Sequence, residues 1–334
     1  MADHLAERPV VVSVVGGRTP ENEALNAGAA ARAEERGLDY RWVPTPRFDG
    51  EQVAAALRGA DVGIIDADRY DESLIAALAG RCRVLVRFGV GFDAVDLEAA
   101  TRHGIAVSRT VGANAEGVAE LALGFALAAR RRLISHDRVV QEGAWQRSIT
   151  GGLWGATVGI VGFGAVGRVL AELVRPFRCR VLVFDPFLTS EVAGVERVET
   201  LDELLAVADV VSLHVPHSPE THHLMDARRL GLMPRGAVLV NTSRGGIVDE
   251  DALAAELAAG RLEGAGLDVF SVEPLPAGSP LRGIENLILT PHIASQTIPA
   301  LESIYDMAID IAAEWNETGV VPHLLNPGVL TGHR

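Results

Sequence analysis

The sequence predicts an α/β protein built from two doubly wound parallel-sheet domains. Its 334 residues suit about two domains at roughly 150 residues each. Short runs rich in Val and Ile alternate with Ala-, Leu- and Glu-rich helical stretches, and this alternation occurs in two successive series. Strands that alternate with helices indicate a parallel sheet covered by helices on both faces.

The first series begins near residue 10. Its apolar runs are short and rich in β-branched residues, which is typical of buried parallel strands. The predicted strands are residues 10–15, 40–43, 61–65, 83–86 and 106–108. The predicted helices between them are residues 21–36, 51–57 and 72–78.

The second series follows a long helix predicted at residues 114–132, where apolar side chains recur at helical spacing. Residues 133–152 lack such a period and are predicted to be irregular. The predicted strands of this series are residues 157–161, 180–184, 209–214, 237–241, 264–268 and 287–289. A last helix is predicted at residues 298–316, after Pro291.

Composition narrows the possible partners and the compartment. The formal charge of −14 argues against nucleic acid and against an acidic membrane surface. The most apolar stretch, residues 117–129, contains Glu120 and is shorter than the ~20 residues that span a bilayer. Two cysteines, Cys82 and Cys179, cannot build a disulfide framework or a cysteine-based metal site. The charged N-terminus has no apolar signal core, so we expect a cytoplasmic protein.

Residues 162–167 read G-F-G-A-V-G, a G-x-G-x-x-G pattern between a predicted strand and an apolar helix. In this context Gly162 would make a tight turn, Gly164 would admit a pyrophosphate, and Gly167 would let helix and strand pack closely. Asp185, at the end of the next strand, could accept hydrogen bonds from ribose hydroxyls and would repel a 2′-phosphate. The pattern predicts NAD rather than NADP. The alternative is a structural turn followed by an Asp that caps a helix.

Arg244, Glu273 and His292 each follow a predicted strand, at the sheet edge where open α/β proteins bind ligands. An arginine can bind a carboxylate or keto acid through a bidentate pair of hydrogen bonds. A histidine can exchange a proton near neutral pH, and a hydrogen-bonded glutamate would favour its imidazolium form. Together they suit hydride transfer to a carbonyl beside a carboxylate. Taken singly, each of these residue types is more often a surface, loop or core residue than a functional one.

These motifs together resemble the D-isomer-specific 2-hydroxyacid dehydrogenases, over essentially the whole chain. The matching segments are G-F-G-A-V-G with Asp185, L-H-V-P-H-S-P-E-T-H-H-L at 213–224, N-T-S-R-G-G-I-V-D-E at 241–250, D-V-F-S-V-E-P at 268–274 and P-H-I-A-S at 291–295. The resemblance implies a catalytic triad in which Arg244 binds the substrate, His292 is the acid/base and Glu273 supports His292. It also implies that Asp268 meets the nicotinamide carboxamide.

The resemblance extends to the ligand-binding residues. The implied cofactor-binding residues are Gly162, Phe163, Gly164, Ala165, Val166, Gly167, Asp185, His214, Val215, Pro216, Thr221, Thr242, Ser243, Arg244, Asp268, His292 and Ser295. Residues 87–96, R-F-G-V-G-F-D-A-V-D, resemble the substrate loop of the family, whose backbone N–H groups would receive the substrate carboxylate. The implied substrate-binding residues are Arg87, Val90, Gly91, Arg244 and His292. Ala165 stands where many members of the family have an arginine. Arg87 and Phe88 add a charge and a bulky ring to the substrate loop.

The resemblance also implies the domain arrangement. A Rossmann NAD-binding domain of residues 106–296 would be inserted into a flavodoxin-like substrate domain of residues 1–105 plus 297–334. The helix at 114–132 and the Trp-bearing segment 133–153 carry more apolar surface than a crossover needs, so we expect a homodimer.

The expected activity is hydride transfer between NAD(H) and C2 of a small, anionic 2-hydroxy or 2-keto acid. Two alternatives stay open. Arg87 would suit a phosphite- or phosphonate-type oxyanion, and an NAD-sensing corepressor-like protein would keep the same triad. A zinc site at His214, His217, His222 and His223 is conceivable from their spacing. The loop has two prolines and lacks a carboxylate pair, so we expect no metal.

Overall fold

A computed structural model of the chain describes residues 8–45 and 49–331. Residues 1–7, which bear on the expected lack of a signal peptide, lie outside the described residues. The chain divides into two compact units. The first comprises Met1–Asn114 and Thr297–Arg334, and the second comprises Ala115–Gln296.

Strands and helices alternate along the described residues. The strands are β1 (Val10–Ser13), β2 (Asp39–Trp42), β3 (Val62–Ile65), β4 (Val84–Arg87), β5 (Ala106–Arg109), β6 (Thr157–Val161), β7 (Arg180–Phe184), β8 (Glu196–Arg197), β9 (Val210–Leu213), β10 (Val238–Asn241), β11 (Gly264–Leu267) and β12 (Leu287–Leu289). The helices are α1 (Pro20–Glu35), α2 (Gly50–Leu57), α3 (Glu72–Leu78), α4 (Leu97–Arg102), α5 (Ala115–Arg130), α6 (Leu133–Gln141), α7 (Ala165–Val174), α8 (Leu201–Leu205), α9 (Ala227–Leu232), α10 (Glu250–Ala258) and α11 (Ile298–Thr318). Short 3₁₀ turns lie at Arg175–Phe177, Gly245–Ile247 and Pro327–Thr331.

The first unit contains a parallel five-stranded sheet of order β2-β1-β3-β4-β5, which is the flavodoxin-like order. The strands β1 and β3 are buried along their whole length, as expected for strands with a helical layer on each face. Apolar side chains of α1 and α11 form the core on one face, and those of α2, α3 and α4 form the core on the other. Arg32 of α1 pairs with Asp310 of α11 at 2.8 Å, so the two stretches of chain are joined in one unit.

The second unit contains a parallel seven-stranded sheet of order β12-β11-β10-β9-β6-β7-β8. With β6 as the first strand, the order β8-β7-β6-β9-β10-β11 is the Rossmann order, and β12 is an added edge strand. The order reverses between β6 and β9, which pair through Val158 and Val210. Ligands bind at such a reversal, outside the carboxyl ends of the strands. The predicted fold class, with two doubly wound parallel sheets, is therefore confirmed.

The structure adds elements that the sequence analysis did not predict, namely β8, α4, α8, α9 and α10, and it differs from the prediction at α6 and at the end of the first unit. Residues 133–141, predicted to be irregular, form helix α6. Its apolar residues Leu133, Ile134 and Val140 are exposed and Ser135 is its buried residue, so the sequence shows no apolar stripe facing a core. The first unit also extends to Asn114, beyond the predicted boundary after residue 105, because β5 pairs with β4 in the first sheet.

Among residues 8–45 and 49–331, no helix is both long enough and apolar enough to cross a bilayer.

Candidate active site

The glycine turn after β6 has the shape that a bound pyrophosphate needs. Gly162 has a φ of +91°, and a Cβ there would lie 2.8 Å from the carbonyl carbon of His214. A Cβ on Gly167 would lie 2.4 Å from the carbonyl oxygen of Gly162, so only glycine lets α7 approach the turn this closely. A Cβ on Gly164 would meet nothing within 4 Å. This open position is where the backbone can face a ligand.

Helix α7 begins at Ala165 with Gly164 as its N-cap, and no side chain caps it. Its first N–H groups and the positive end of its dipole therefore suit an anion. The residues Phe163, Ala165 and Val166 complete this turn. Because the turn is glycine-lined and the helix start lacks a side-chain cap, the residues present fit a dinucleotide pyrophosphate.

Asp185 lies directly after β7 and is tied to the same turn. Its Oδ2 accepts the N–H of Phe163 (2.7 Å), and its Oδ1 accepts the N–H of Phe187 (2.8 Å). The carboxylate is only partly exposed. Asp185 thus stands beside the pyrophosphate turn with its charge fixed in position, as recognition of ribose hydroxyls requires.

The loop after β9 is joined to the segment after β10. The hydroxyl of Ser243 donates to the carbonyl of Val215. Within the loop, the Thr221 hydroxyl donates to the carbonyl of Pro216 (2.7 Å) and accepts the N–H of Ser218 (2.8 Å). The hydroxyl of Thr242 is buried and has no hydrogen-bond partner among the described residues. Such an orphaned polar atom fits a site that a bound cofactor completes.

His214 follows β9 and is hydrogen-bonded to Ser212, with 2.9 Å between Nε2 and Oγ. Burial disfavours the charged imidazolium and lowers the pKa of His214 to about 4. The side chain is therefore neutral at physiological pH. Its backbone N–H donates to the carbonyl of Val161 (2.7 Å), which fixes the start of the loop against β6.

Arg244 lies in a turn that Asn241 stabilises through two hydrogen bonds. Asn241 Nδ2 donates to the carbonyl of Arg244 (2.9 Å), and its Oδ1 accepts the N–H of Ser243 (3.0 Å). Nη1 of Arg244 donates to the carbonyl of Ser243 (2.7 Å). A Cβ on Gly245 would lie 1.8 Å from the carbonyl carbon of Phe270. Glycine after Arg244 is therefore what lets this turn abut the segment that leads to Glu273.

Glu273 and His292 form a direct pair. Nδ1 of His292 donates to Oε2 of Glu273 (2.9 Å), while Oε1 accepts the N–H of Phe270 (3.0 Å). Burial acts to raise the pKa of Glu273. The hydrogen bond and charge of His292, the Phe270 N–H and the charge of Arg244 act the other way, and the net effect lowers the pKa. The pair is half-exposed, at 37% for Glu273 and 44% for His292.

Asp268 anchors the loop that carries His292. Its carboxylate is fully buried and accepts the N–H groups of Ile293 and Ala294, both at 2.8 Å, and the hydroxyl of Thr290. The carbonyl of Asp268 also accepts the N–H of His292 (2.9 Å). These bonds hold His292 at a φ of 55°, which non-glycine residues seldom adopt. The sequence motifs did not reveal this anchoring. A buried Asp at the end of a strand is the signal that could have.

In the first unit, the loop after β4 is held by residues that follow β5. The N–H of Gly89 donates to the Thr110 hydroxyl (2.9 Å), and Arg109 donates to the carbonyl of Val90 (3.3 Å). The Arg87 side chain is 12% exposed, donates to the carbonyl of Phe88 and lies 4.0 Å from Oδ1 of Asp66. Arg87, which the sequence analysis assigned to the substrate, therefore has the carboxylate of Asp66 beside it.

The histidine-rich loop does not form a metal site in the structure. Nε2 of His217 lies 3.2 Å from Nδ1 of His222, and the ring of His223 stacks on that of His222. Within the described ranges, no group of three or more His, Cys, Asp or Glu side chains is arranged to hold a metal ion.

The comparisons with known proteins give the family. The family model described as "D-isomer specific 2-hydroxyacid dehydrogenase, NAD binding domain" matches residues 123–294. The chain belongs to the D-isomer-specific 2-hydroxyacid dehydrogenases. The resemblance seen in the sequence motifs is confirmed, and so is NAD as the cofactor that this domain binds.

Two curated members of the family show how much of the chain is shared. It is 37% identical to a glyoxylate reductase of Korarchaeum cryptofilum over 272 residues, which are 79% of this chain and 81% of that protein. It is 37% identical to a D-3-phosphoglycerate dehydrogenase of Mycobacterium tuberculosis over 267 residues, 79% of this chain and 50% of that protein. The chain thus spans about half the length of the D-3-phosphoglycerate dehydrogenases of Mycobacterium that it matches.

Two solved structures are similar to nearly the whole chain. An NAD⁺-bound 3-phosphoglycerate dehydrogenase of Entamoeba histolytica has a TM-score of 0.82 at 26% identity, covering 96% of this chain and 99% of that chain. A pyruvate reductase of Chlamydomonas reinhardtii has a TM-score of 0.78 at 29% identity, covering 93% of this chain and 96% of that chain.

Proposed function

We propose that the protein is an NAD-dependent D-2-hydroxyacid dehydrogenase that transfers a hydride between NAD(H) and C2 of a small 2-hydroxy or 2-keto acid. The observation that carries this proposal is the Glu273–His292 pair, a carboxylate holding an imidazole at 2.9 Å. The pair stands at strand ends of the Rossmann unit, which also carries the uncapped glycine turn and Asp185. A proton donor next to a dinucleotide site is what reduction of a keto acid requires.

The residues of the Rossmann unit have distinct roles in binding the cofactor. The turn at Gly162–Gly167 and the start of α7 hold the pyrophosphate, and Asp185 accepts the ribose hydroxyls. The loop around Pro216 and Thr221 and the segment at Thr242 and Ser243 line the rest of the site. Ser295, which follows the loop of His292, would lie at the nicotinamide end, and Asp268 would act there through the loop that it anchors. Bound NADH supplies the hydride.

The triad acts on the substrate. Arg244 binds the carboxylate and the carbonyl oxygen through its planar fork of N–H groups and polarises the carbonyl. His292, hydrogen-bonded to Glu273, gives its proton to the oxygen as the alkoxide forms. In the oxidation direction, neutral His292 removes the hydroxyl proton. In the first unit, the N–H groups of Val90 and Gly91 receive the carboxylate, while Arg87 supports their loop beside Asp66.

A substrate panel tests the proposed activity. NADH consumption would be followed with glyoxylate, hydroxypyruvate, 3-phosphohydroxypyruvate, longer 2-keto acids and phosphonates, and the chirality of the product would be determined. We expect turnover of at least one 2-keto acid to the D-2-hydroxy acid. Turnover of phosphonates alone would favour the oxyanion alternative. NADH binding without turnover of any acid would favour a cofactor-sensing protein.

Replacing Asp185 with serine tests the choice of cofactor. The variant loses the negative charge that repels a 2′-phosphate and the carboxylate that accepts the ribose hydroxyls. Because hydrogen bonds to a charged group contribute about 1.5–3 kcal/mol, we expect the NADH-over-NADPH ratio of kcat/KM to fall about 10- to 100-fold. Asp202→Asn removes an exposed carboxylate of α8 and should leave the ratio unchanged. Equal use of NADH and NADPH by the unaltered protein would contradict this role for Asp185.

Glu273→Gln tests the pairing through pH. The lowered pKa of Glu273 keeps its carboxylate ionised as the pH falls, so the pair is controlled by the proton on His292. Without the carboxylate the imidazolium loses its electrostatic partner and is populated only at lower pH. Reduction, which needs the protonated ring, should lose activity at a lower pH than in the unaltered protein. Oxidation, which needs the neutral ring, should persist to lower pH. Unmoved pH–rate profiles would mean that Glu273 does not support His292.

We also propose a homodimer that forms through the segment containing α6. Leu133 and Val140 of α6 are exposed, Trp145 is 84% exposed, and Ile149 and Trp154 are exposed nearby. Apolar patches of this kind mark interfaces. Sedimentation velocity at micromolar concentration should give twice the chain mass of 35.4 kDa. Trp145→Glu should shift the protein toward monomer, while Val207→Glu, at an exposed apolar position after α8, should not. A monomer at every concentration would contradict the dimer.

The cysteines support the proposed cytoplasmic location. Cys82 and Cys179 are both free thiols. Burial raises the pKa of Cys82 to about 12 and also raises that of Cys179. Free thiols without a disulfide are typical of proteins in a reducing compartment.

A further inference from the structure

We propose that Glu250 is a positioning residue for the Glu273–His292 pair, an assignment that rests on the proposed function. Glu250 is the first residue of α10. Its Oε1 accepts the backbone N–H of Ser271 at 2.6 Å. It therefore holds the turn from which Glu273 reaches His292.

Two carboxylates hold consecutive N–H groups of that turn. Glu273 accepts the N–H of Phe270 at 3.0 Å with Oε1, and Glu250 accepts the N–H of Ser271. The other oxygen of Glu273, Oε2, receives Nδ1 of His292. One oxygen of Glu273 is hydrogen-bonded to the backbone of its own turn. The position of the other oxygen therefore depends on the position of that turn. A contact that fixes Ser271 therefore fixes the oxygen that meets His292.

The local fold explains why Glu250 reaches Ser271. Gly245 begins a 3₁₀ turn that leads directly into α10. A Cβ on Gly245 would lie 2.2 Å from the backbone nitrogen of Ser271, so the two segments touch backbone to backbone. Asp249 caps α10 by accepting the N–H of Ala252 (3.0 Å). The helix start therefore does not depend on Glu250 for its cap.

The contact ties the turn that carries Arg244 to the turn that carries Glu273. Each of these turns carries a residue of the triad. The distance between the turns sets where a substrate bound by Arg244 lies relative to His292. Glu250 and the Gly245 contact are two restraints on that separation, one polar and one steric. Misplacing catalytic groups by a small distance lowers the rate without weakening cofactor binding.

Glu250→Ala and Glu250→Gln separate positioning from charge. Glutamine keeps an oxygen that accepts the Ser271 N–H but loses the charge, and alanine loses both. For Glu250→Ala we expect kcat/KM for keto-acid reduction to fall about 10-fold, with the pH–rate profile shifted in the direction of Glu273→Gln and NADH affinity unchanged. Glu250→Gln should keep the pH–rate profile of the unaltered protein. Equal shifts in both variants, or no shift in Glu250→Ala, would overturn the proposal.

A double variant separates this proposal from the proposed function. If Glu250 acts through Glu273, adding Glu250→Ala to Glu273→Gln should shift the pH profile no further. A further, additive shift would overturn the positioning role while leaving the triad intact. If Glu273→Gln alone leaves the profile unmoved, the triad itself fails, and the role of Glu250 fails with it. NADH titration and thermal unfolding of each variant report whether it is folded.

Discussion

Replacing His292 with alanine is expected to lower kcat for 2-keto acid reduction about 10²- to 10⁴-fold, the usual contribution of a general acid. His292 is the side chain that Glu273 holds at 2.9 Å, and alanine has no proton to give to the alkoxide. NADH binding should survive, because the glycine turn and Asp185 lie on other strand ends of the sheet. Single-turnover absorbance and a fluorescence titration with NADH would measure the two effects separately.

The unusual backbone of His292 calls for matched variants. His292 has a φ of 55°, and His323 has a φ of 53°. His323→Ala makes the same substitution on the same kind of backbone in the first unit and should leave kcat unchanged. His292→Asn suits the left-handed backbone but cannot act as a general acid, so it should lose as much activity as His292→Ala. Retention of most of the activity in both His292 variants would exclude His292 as the proton donor.

Arg244→Lys should lower kcat/KM about 10- to 100-fold in both directions, the effect of losing a hydrogen bond to a charged group. Lysine keeps the charge but offers a point instead of a planar fork. It also cannot reproduce the fixed geometry in which Arg244 bonds to the Ser243 carbonyl. Initial rates of keto-acid reduction and hydroxy-acid oxidation, each at saturating cofactor, measure the effect.

A surface arginine provides the control. Arg228 pairs with Asp202 through both ends of its guanidinium, at 2.7 and 3.1 Å, on the exposed side of α9. Arg228→Lys removes the same kind of fork at an exposed ion pair between two helices and should leave both rates unchanged. If Arg244→Lys impaired only one direction, Arg244 would act on one chemical step and would not bind the substrate in both.

The sequence predicted those features that depend on neighbours along the chain. The glycine turn needs three residues at fixed spacing after a strand, and Asp185 needs only to end the next strand. Arg244, Glu273 and His292 could be grouped because the carboxyl ends of parallel strands share one edge of a sheet. The pairing of Glu273 with His292 was an expectation from the sequence, and the structure has the two side chains 2.9 Å apart.

Features that depend on contacts between distant segments could not be predicted. Asp268 was assigned to the cofactor by resemblance, and only the folded chain shows it buried beneath the loop of His292. The contact of Glu250 with Ser271 requires two turns to meet where Gly245 has no Cβ. Helix α6 was missed because its apolar side chains face outward, which removes the pattern that sequence reasoning uses.

The path of the chain through the two units has a consequence for biosynthesis. Residues 115–296 form one uninterrupted unit, but the first sheet receives part of its cover only from α11. In the first unit, Asn326 also completes β5 by accepting the N–H of Val107 at 2.8 Å. On a ribosome, the early strands therefore emerge long before their packing partners. We expect the inserted unit to fold first, with the early strands exposed to chaperones until translation passes α11.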